Sequence, residues 1–101
     1  MDTEVKLVLG QLVEGFTPER IYLFGSFSRE EQHADSDIDI CVVMPAENKR
    51  RLLTELYLAV ECGRPVDILL YTPEEWEESL CDAHSFAHKI HNEGVLLYGG
   101  Q

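Results

Sequence analysis

The run Asp37-Ile38-Asp39-Ile40-Cys41-Val42-Val43-Met44, stopped by Pro45, leaves this chain little choice of local conformation. Isoleucine and valine dominate it, and β-branched side chains suit a pleated strand. Side chains alternate along a strand, so Ile38, Ile40 and Val42 share one face and Asp37 and Asp39 share the other. The apolar face anchors the strand in a core. On the acidic face the two Cα atoms lie roughly 7 Å apart, close enough for both carboxylates to converge on one or two hard cations. Like charges so placed are unfavourable unless they are solvated or bind metal.

Around this strand the chain reads as one domain spanning residues 1–101. Val5, Val8, Leu9, Leu12, Val13 and Phe16 recur at helical spacing and predict an amphipathic helix over 3–16. Thr17-Pro18-Glu19-Arg20 reads as a turn. Ile21 to Phe24 is a short strand ended by Gly25-Ser26, and residues 27–36 hold a loop or a short helical turn. A helix is predicted over 46–62, with Gly63 as its stop. Val66 to Tyr71 is a third strand. Thr72-Pro73-Glu74-Glu75 has the form of a capping box with proline at the first helical position. A further helix is predicted over 80–92, and Val95 to Tyr98 is a short closing strand. The result is a small mixed α/β fold, a mixed sheet with helices packed on it.

Composition narrows the function. The net charge of −11 repels phosphate backbones, so stable direct binding of nucleic acid is not expected. Cations or a basic protein partner suit such a surface. No apolar run has the length of a membrane span, and the start, Met1-Asp2-Thr3-Glu4, has no secretory character. Cys41, Cys62 and Cys81 make an odd set without a CxxC pair, which fits a reducing cytoplasm better than a disulfide framework.

Gly25-Ser26, ten residues, and then Asp37-Ile38-Asp39 form the chemical constellation. A strand ending in Gly-Ser presents backbone N–H groups and a hydroxyl that can cradle a phosphate, and Arg29 can add a positive contact. Asp67 interrupts the apolar strand Val66-Asp67-Ile68-Leu69-Leu70, and a neighbouring strand would bring it to the same site. Taken singly, each piece is ordinary: DxD marks many loops, Gly-Ser many turns, and Asp67 alone fits an exposed edge strand. Their combination in strand context points to a metal-assisted site for a phosphorylated ligand. Neither a P-loop nor a GxGxxG motif competes.

Leu23-Phe24-Gly25-Ser26-Phe27-Ser28-Arg29, followed by Ser36-Asp37-Ile38-Asp39-Ile40, resembles the signature of the DNA polymerase β-like nucleotidyltransferase superfamily. The short length and the ending Glu93-Gly94-Val95-Leu96-Leu97-Tyr98 resemble its minimal nucleotidyltransferase (MNT) branch. Glu30 departs from the pattern, which commonly has glycine after the arginine. The resemblance implies the polymerase β-like core, two Mg²⁺ ions held by Asp37, Asp39 and Asp67 as the catalytic carboxylates, and the triphosphate of ATP held by Gly25, Ser26 and Arg29. It further implies the antitoxin half of a HEPN–MNT pair, moving AMP from ATP onto a tyrosine of a HEPN ribonuclease toxin. Two alternatives remain at this level: an antitoxin that neutralises its partner by contact, and a small-molecule nucleotidyltransferase of the aminoglycoside type. The chain has no evident acceptor-gripping domain, so the acceptor is expected to be held by another chain or a second copy.

Other features are weighed against plainer roles. On a helix over 80–92, Cys81, His84, His88 and His91 fall within an arc of about 80°. Beside that arc runs an apolar face of Leu80, Ala83, Phe86, Ala87 and Ile90, which favours packing over metal ligation. Lys49-Arg50-Arg51 reads as a solvated face, and His33 as an exposed loop residue. Glu74, Glu75, Glu77 and Glu78 suit a helix start. Trp76 is either a core anchor or a partner contact.

Overall fold

A computed structural model describes residues 3–25 and 37–99. The elements are α1 (Thr3–Gly15), β1 (Arg20–Phe24), β2 (Ile38–Val43), α2 (Lys49–Ala59), β3 (Val66–Tyr71), α3 (Pro73–Leu80), α4 (Phe86–Glu93) and β4 (Val95–Tyr98). The strands form one mixed sheet in the order β3-β2-β1-β4. β1 is antiparallel to both β2 and β4, whereas β2 and β3 are parallel. Parallel neighbours need a crossover, and α2 supplies it.

Strand alternation divides the core in two. Ile21, Leu23, Ile38, Ile40, Val42, Ile68 and Leu70 pack with Val5, Val8 and Leu12 of α1 and Leu56 of α2. Tyr22, Cys41 and Val43 face the opposite way and pack with Trp76 of α3 and with Ala87 and Ile90 of α4. Trp76 is thus a core anchor, 1% exposed, with Tyr22 and Tyr71 each 5.2 Å from it between ring centroids.

Two helices differ in their limits from the sequence expectation. α2 begins at Lys49, capped by Asn48, rather than at 46, and ends at Ala59, with Val60 extended, rather than running to 62. Side chains of α1 capture the backbone that follows. Gln11 donates to the Glu61 carbonyl and accepts from its N–H, both at 3.1 Å, and Glu4 accepts from the Gly63 N–H at 3.1 Å. Those bonds replace the ones a longer helix would make.

The second difference is the helix expected over 80–92, which begins only at Phe86. The Asp82 carboxylate accepts from the His84 N–H at 2.9 Å, the Ser85 N–H bonds to the Asp82 carbonyl, and Ser85 caps α4 through the His88 N–H. Asp and Ser offer the backbone local bonds that compete with a continuous helix. Cys81 and His84 therefore lie off the helix, and the proposed arc does not form.

The capping box at α3 is complete. Thr72 Oγ1 accepts from the Glu75 N–H at 3.2 Å, and the Glu75 carboxylate accepts from the Thr72 N–H at 2.9 Å. Lys49 reaches the same carboxylate at 2.9 Å, and Arg51 lies 3.6 Å from Glu55, so the basic cluster has structural work on a solvated face. The Thr72 N–H first and Lys49 second hold the Glu75 carboxyl below its ordinary value, so this cap weakens as pH falls through the carboxylate range. Thr72→Ala is expected to cost about 1 kcal/mol of stability, measured as a lower urea midpoint at unchanged slope. An unshifted midpoint would mean that Pro73 and Glu75 start the helix without the hydroxyl.

Candidate active site

The pairing register builds the site. Asp39 of β2 stands opposite Phe24 of β1 on one side and opposite Asp67 of β3 on the other. Phe24, Asp39 and Asp67 therefore form a row across three strands, on the sheet face that α3 and α4 cover further along. Adjacent strands lie about 4.8 Å apart, so the two carboxylates meet directly. Asp37, two residues before Asp39 and on the same face, is exposed, as is Asp67.

Three effects raise the pKa of Asp39: burial first, then the charge of Asp67, then that of Asp37. A proton shared between Asp39 and Asp67, or a cation between them, would relieve this repulsion.

Gly25 closes the row from above. Its φ is +78°, a left-handed conformation that favours glycine, and a Cβ there would collide with Asp39 Oδ2. Gly25→Ala is expected to cost about 1–2 kcal/mol in backbone strain and to turn the Asp39 carboxylate away from Asp67. Thermal unfolding together with Mg²⁺ titration would register both effects, and an alanine variant equal to wild type in both would refute the close approach.

Of the residues singled out from sequence, the structure brings Gly25, Asp37, Asp39 and Asp67 together. Ser26, Arg29 and His33 lie outside the described residues. His88 and His91 are on α4, where His88 contacts Asn92 at 3.0 Å and the His91 ring lies 6.2 Å from that of Tyr22. Among the described residues no three His, Cys, Asp or Glu side chains form a ready metal cage. Mg²⁺ is ordinarily bound by one or two carboxylates, with water and substrate phosphates completing the shell. The opposed carboxylates of Asp39 and Asp67, with Asp37 two residues along the same face, are oxygen donors of the type such an ion takes.

The sequence reading missed a pocket of about 160 Å³ beside the row, lined by Phe24, Gly25, Phe86, Lys89, Ile90, Glu93 and Gly94. Phe86, expected in an apolar packing face, is 49% exposed at its rim. The serine cap at Ser85 was the available signal, because it makes Phe86 the first residue of a helix.

The nucleotidyltransferase domain family matches residues 4–97, nearly the whole chain. The chain belongs to the nucleotidyltransferase domain family. A comparison with curated proteins finds no match. Among solved structures, a chain from a crystal structure of a mutant of the toxin–antitoxin pair MntA–HpeT is similar at 28% identity, with a TM-score of 0.63. The match covers 100% of this chain and 76% of the other. The mixed sheet and its flanking helices are thus a nucleotidyltransferase fold, and the opposed aspartates lie on two of its strands, β2 and β3. No helix among the described residues of this nucleotidyltransferase domain is long and apolar enough to cross a membrane.

Proposed function

We propose that this nucleotidyltransferase domain is the antitoxin of a toxin–antitoxin pair and transfers AMP from ATP, with Mg²⁺, to a tyrosine of a partner HEPN ribonuclease. The observation that carries the reading is the direct opposition of Asp39 and Asp67 beneath Gly25. Likeness to a chain of the MntA–HpeT toxin–antitoxin pair supports the partner class. The net charge of −11 favours rapid, salt-sensitive encounter with a basic protein.

In this reading Asp37 and Asp39 would hold the ions, and Asp67 would complete the set; Mg²⁺ held there would supply positive charge to offset the negative charge developing at the reacting phosphate. Gly25, lacking a side chain, lets the triphosphate approach the carboxylates closely, and Ser26 and Arg29 are the further residues assigned to the triphosphate. Asp67, exposed at the edge strand, receives the proton of the acceptor hydroxyl as that oxygen bonds to phosphorus and pyrophosphate leaves.

Intact-mass spectrometry of the domain mixed with its partner toxin and Mg²⁺-ATP tests the assignment. A toxin heavier by one or more AMP units, with the label on tyrosine, is the expected result, and no gain is expected with the double variant Asp37→Ala/Asp39→Ala. An unmodified toxin inhibited equally by wild type and double variant would sink the catalytic reading and leave neutralisation by contact.

A further inference from the structure

We infer that the pocket between the end of β1 and α4 holds the nucleobase of the donor triphosphate, with the Phe86 ring as its stacking platform. The inference rests on the donor-triphosphate reading above and adds where the base sits. Gly25 connects the two places: it lies against Asp39 Oδ2 and also lines the pocket. A triphosphate held at Gly25 and the carboxylates therefore has this pocket beside it.

Size and lining select the occupant. Sites for whole drug-sized ligands run to about 300–1,000 Å³, so a volume of about 160 Å³ takes one ring system and leaves the sugar and phosphates outside. Phe24 and Phe86 meet edge to face, with centroids 5.5 Å apart and planes at 88°, so Phe86 keeps a face free of Phe24. Every base has a π-face that can stack on such a ring. Lys89 and Glu93 add one charge of each sign to a lining that is otherwise aromatic, aliphatic or glycine, as suits a flat heteroaromatic ring with polar edges.

The platform is held in place by its helix start. Ser85 Oγ donates to the Ser79 carbonyl at 2.6 Å and accepts from the His88 N–H at 3.0 Å, which ties the first turn of α4 to the end of α3. Gly94 keeps the pocket floor tight. A Cβ there would lie 2.6 Å from the Ile90 carbonyl oxygen and 2.9 Å from that of Leu23.

Calorimetric titration with Mg²⁺-ATP and, separately, with Mg²⁺-tripolyphosphate tests the assignment on wild type, Phe86→Ala, Phe86→Leu and Phe86→Tyr. Phe86→Ala and Phe86→Leu are expected to weaken ATP about 5- to 150-fold, the value of stacking one base on an aromatic ring. Tripolyphosphate, which has no base, should bind all four proteins alike, and Phe86→Tyr should keep wild-type ATP affinity. ATP binding unchanged in Phe86→Ala would overturn the base pocket while leaving the donor site standing. An equal loss for ATP and tripolyphosphate would overturn it too, by showing a general distortion. Wild-type protein that binds neither ligand would overturn both readings.

Discussion

Replacing Asp37 and Asp39 together by alanine is expected to lower nucleotide transfer by at least about 10³-fold, the scale for losing charge stabilisation at a reacting centre. The protein should remain folded. Neither carboxylate belongs to the hydrophobic core, and the strand is anchored by Ile38, Ile40 and Val42 on its other face. The metal-free variant should even gain stability.

Burial, Asp67 and Asp37 all raise the pKa of Asp39, so the folded state binds its proton more tightly than the unfolded chain does. Stability at this group therefore falls as pH rises from the ordinary carboxylate value of 3.8 through the raised one, and the cost persists at neutral pH. Asp39→Asn removes that cost, so the variant should be more stable than wild type at neutral pH. Urea unfolding at pH 4 and pH 7 checks the sign, because the gain should be larger at pH 7. A variant that retains transfer, or is destabilised more at pH 7 than at pH 4, would contradict the assignment.

Trp76→Ala should have the largest effect on the fold itself, a loss of about 3–5 kcal/mol. That is a large part of the roughly 5–15 kcal/mol that holds a domain together. Trp76 fills the space between α3 and the sheet, against Tyr22 and Tyr71. Its buried Nε1–H has no partner among the described residues, so deleting the indole costs packing rather than a hydrogen bond. Trp76→Phe should accordingly lose much less than Trp76→Ala. Urea midpoints of the two variants decide this; equal, small losses would mean that α3 is held by its cap and its neighbours instead.

The sequence made the strands legible because their signals are local. Ile38 to Val43 alternate, Val66 to Tyr71 is apolar apart from Asp67, and Thr72 to Glu75 carry a complete cap. The carboxylate pair was legible for the same reason: Asp37 and Asp39 fall on one face by period alone, and Asp67 stands out in an apolar run. The limits of α2 and α4 were harder to read because distant or competing bonds set them. Gln11 and Glu4 reach the residues after Val60 from the far end of the chain, and Asp82 with Ser85 diverts the backbone into a turn before α4. The pocket was invisible for a similar reason, since Phe24 and Phe86 meet only when α4 packs on β1.

The parallel pairing of β2 and β3 also makes the site a gauge of correct assembly. Asp39 and Asp67 belong to different strands, and their meeting depends on the register Ile38↔Val66, Asp39↔Asp67, Ile40↔Ile68. Slipping β3 by a single residue reverses every side chain. Asp67 would then enter the apolar layer with Val5, Ile40 and Leu56, and Ile68 would face the acids. A misregistered chain is therefore penalised twice, by a buried charge and by a broken carboxylate pair. Folding fidelity and chemical competence are read from the same aspartate.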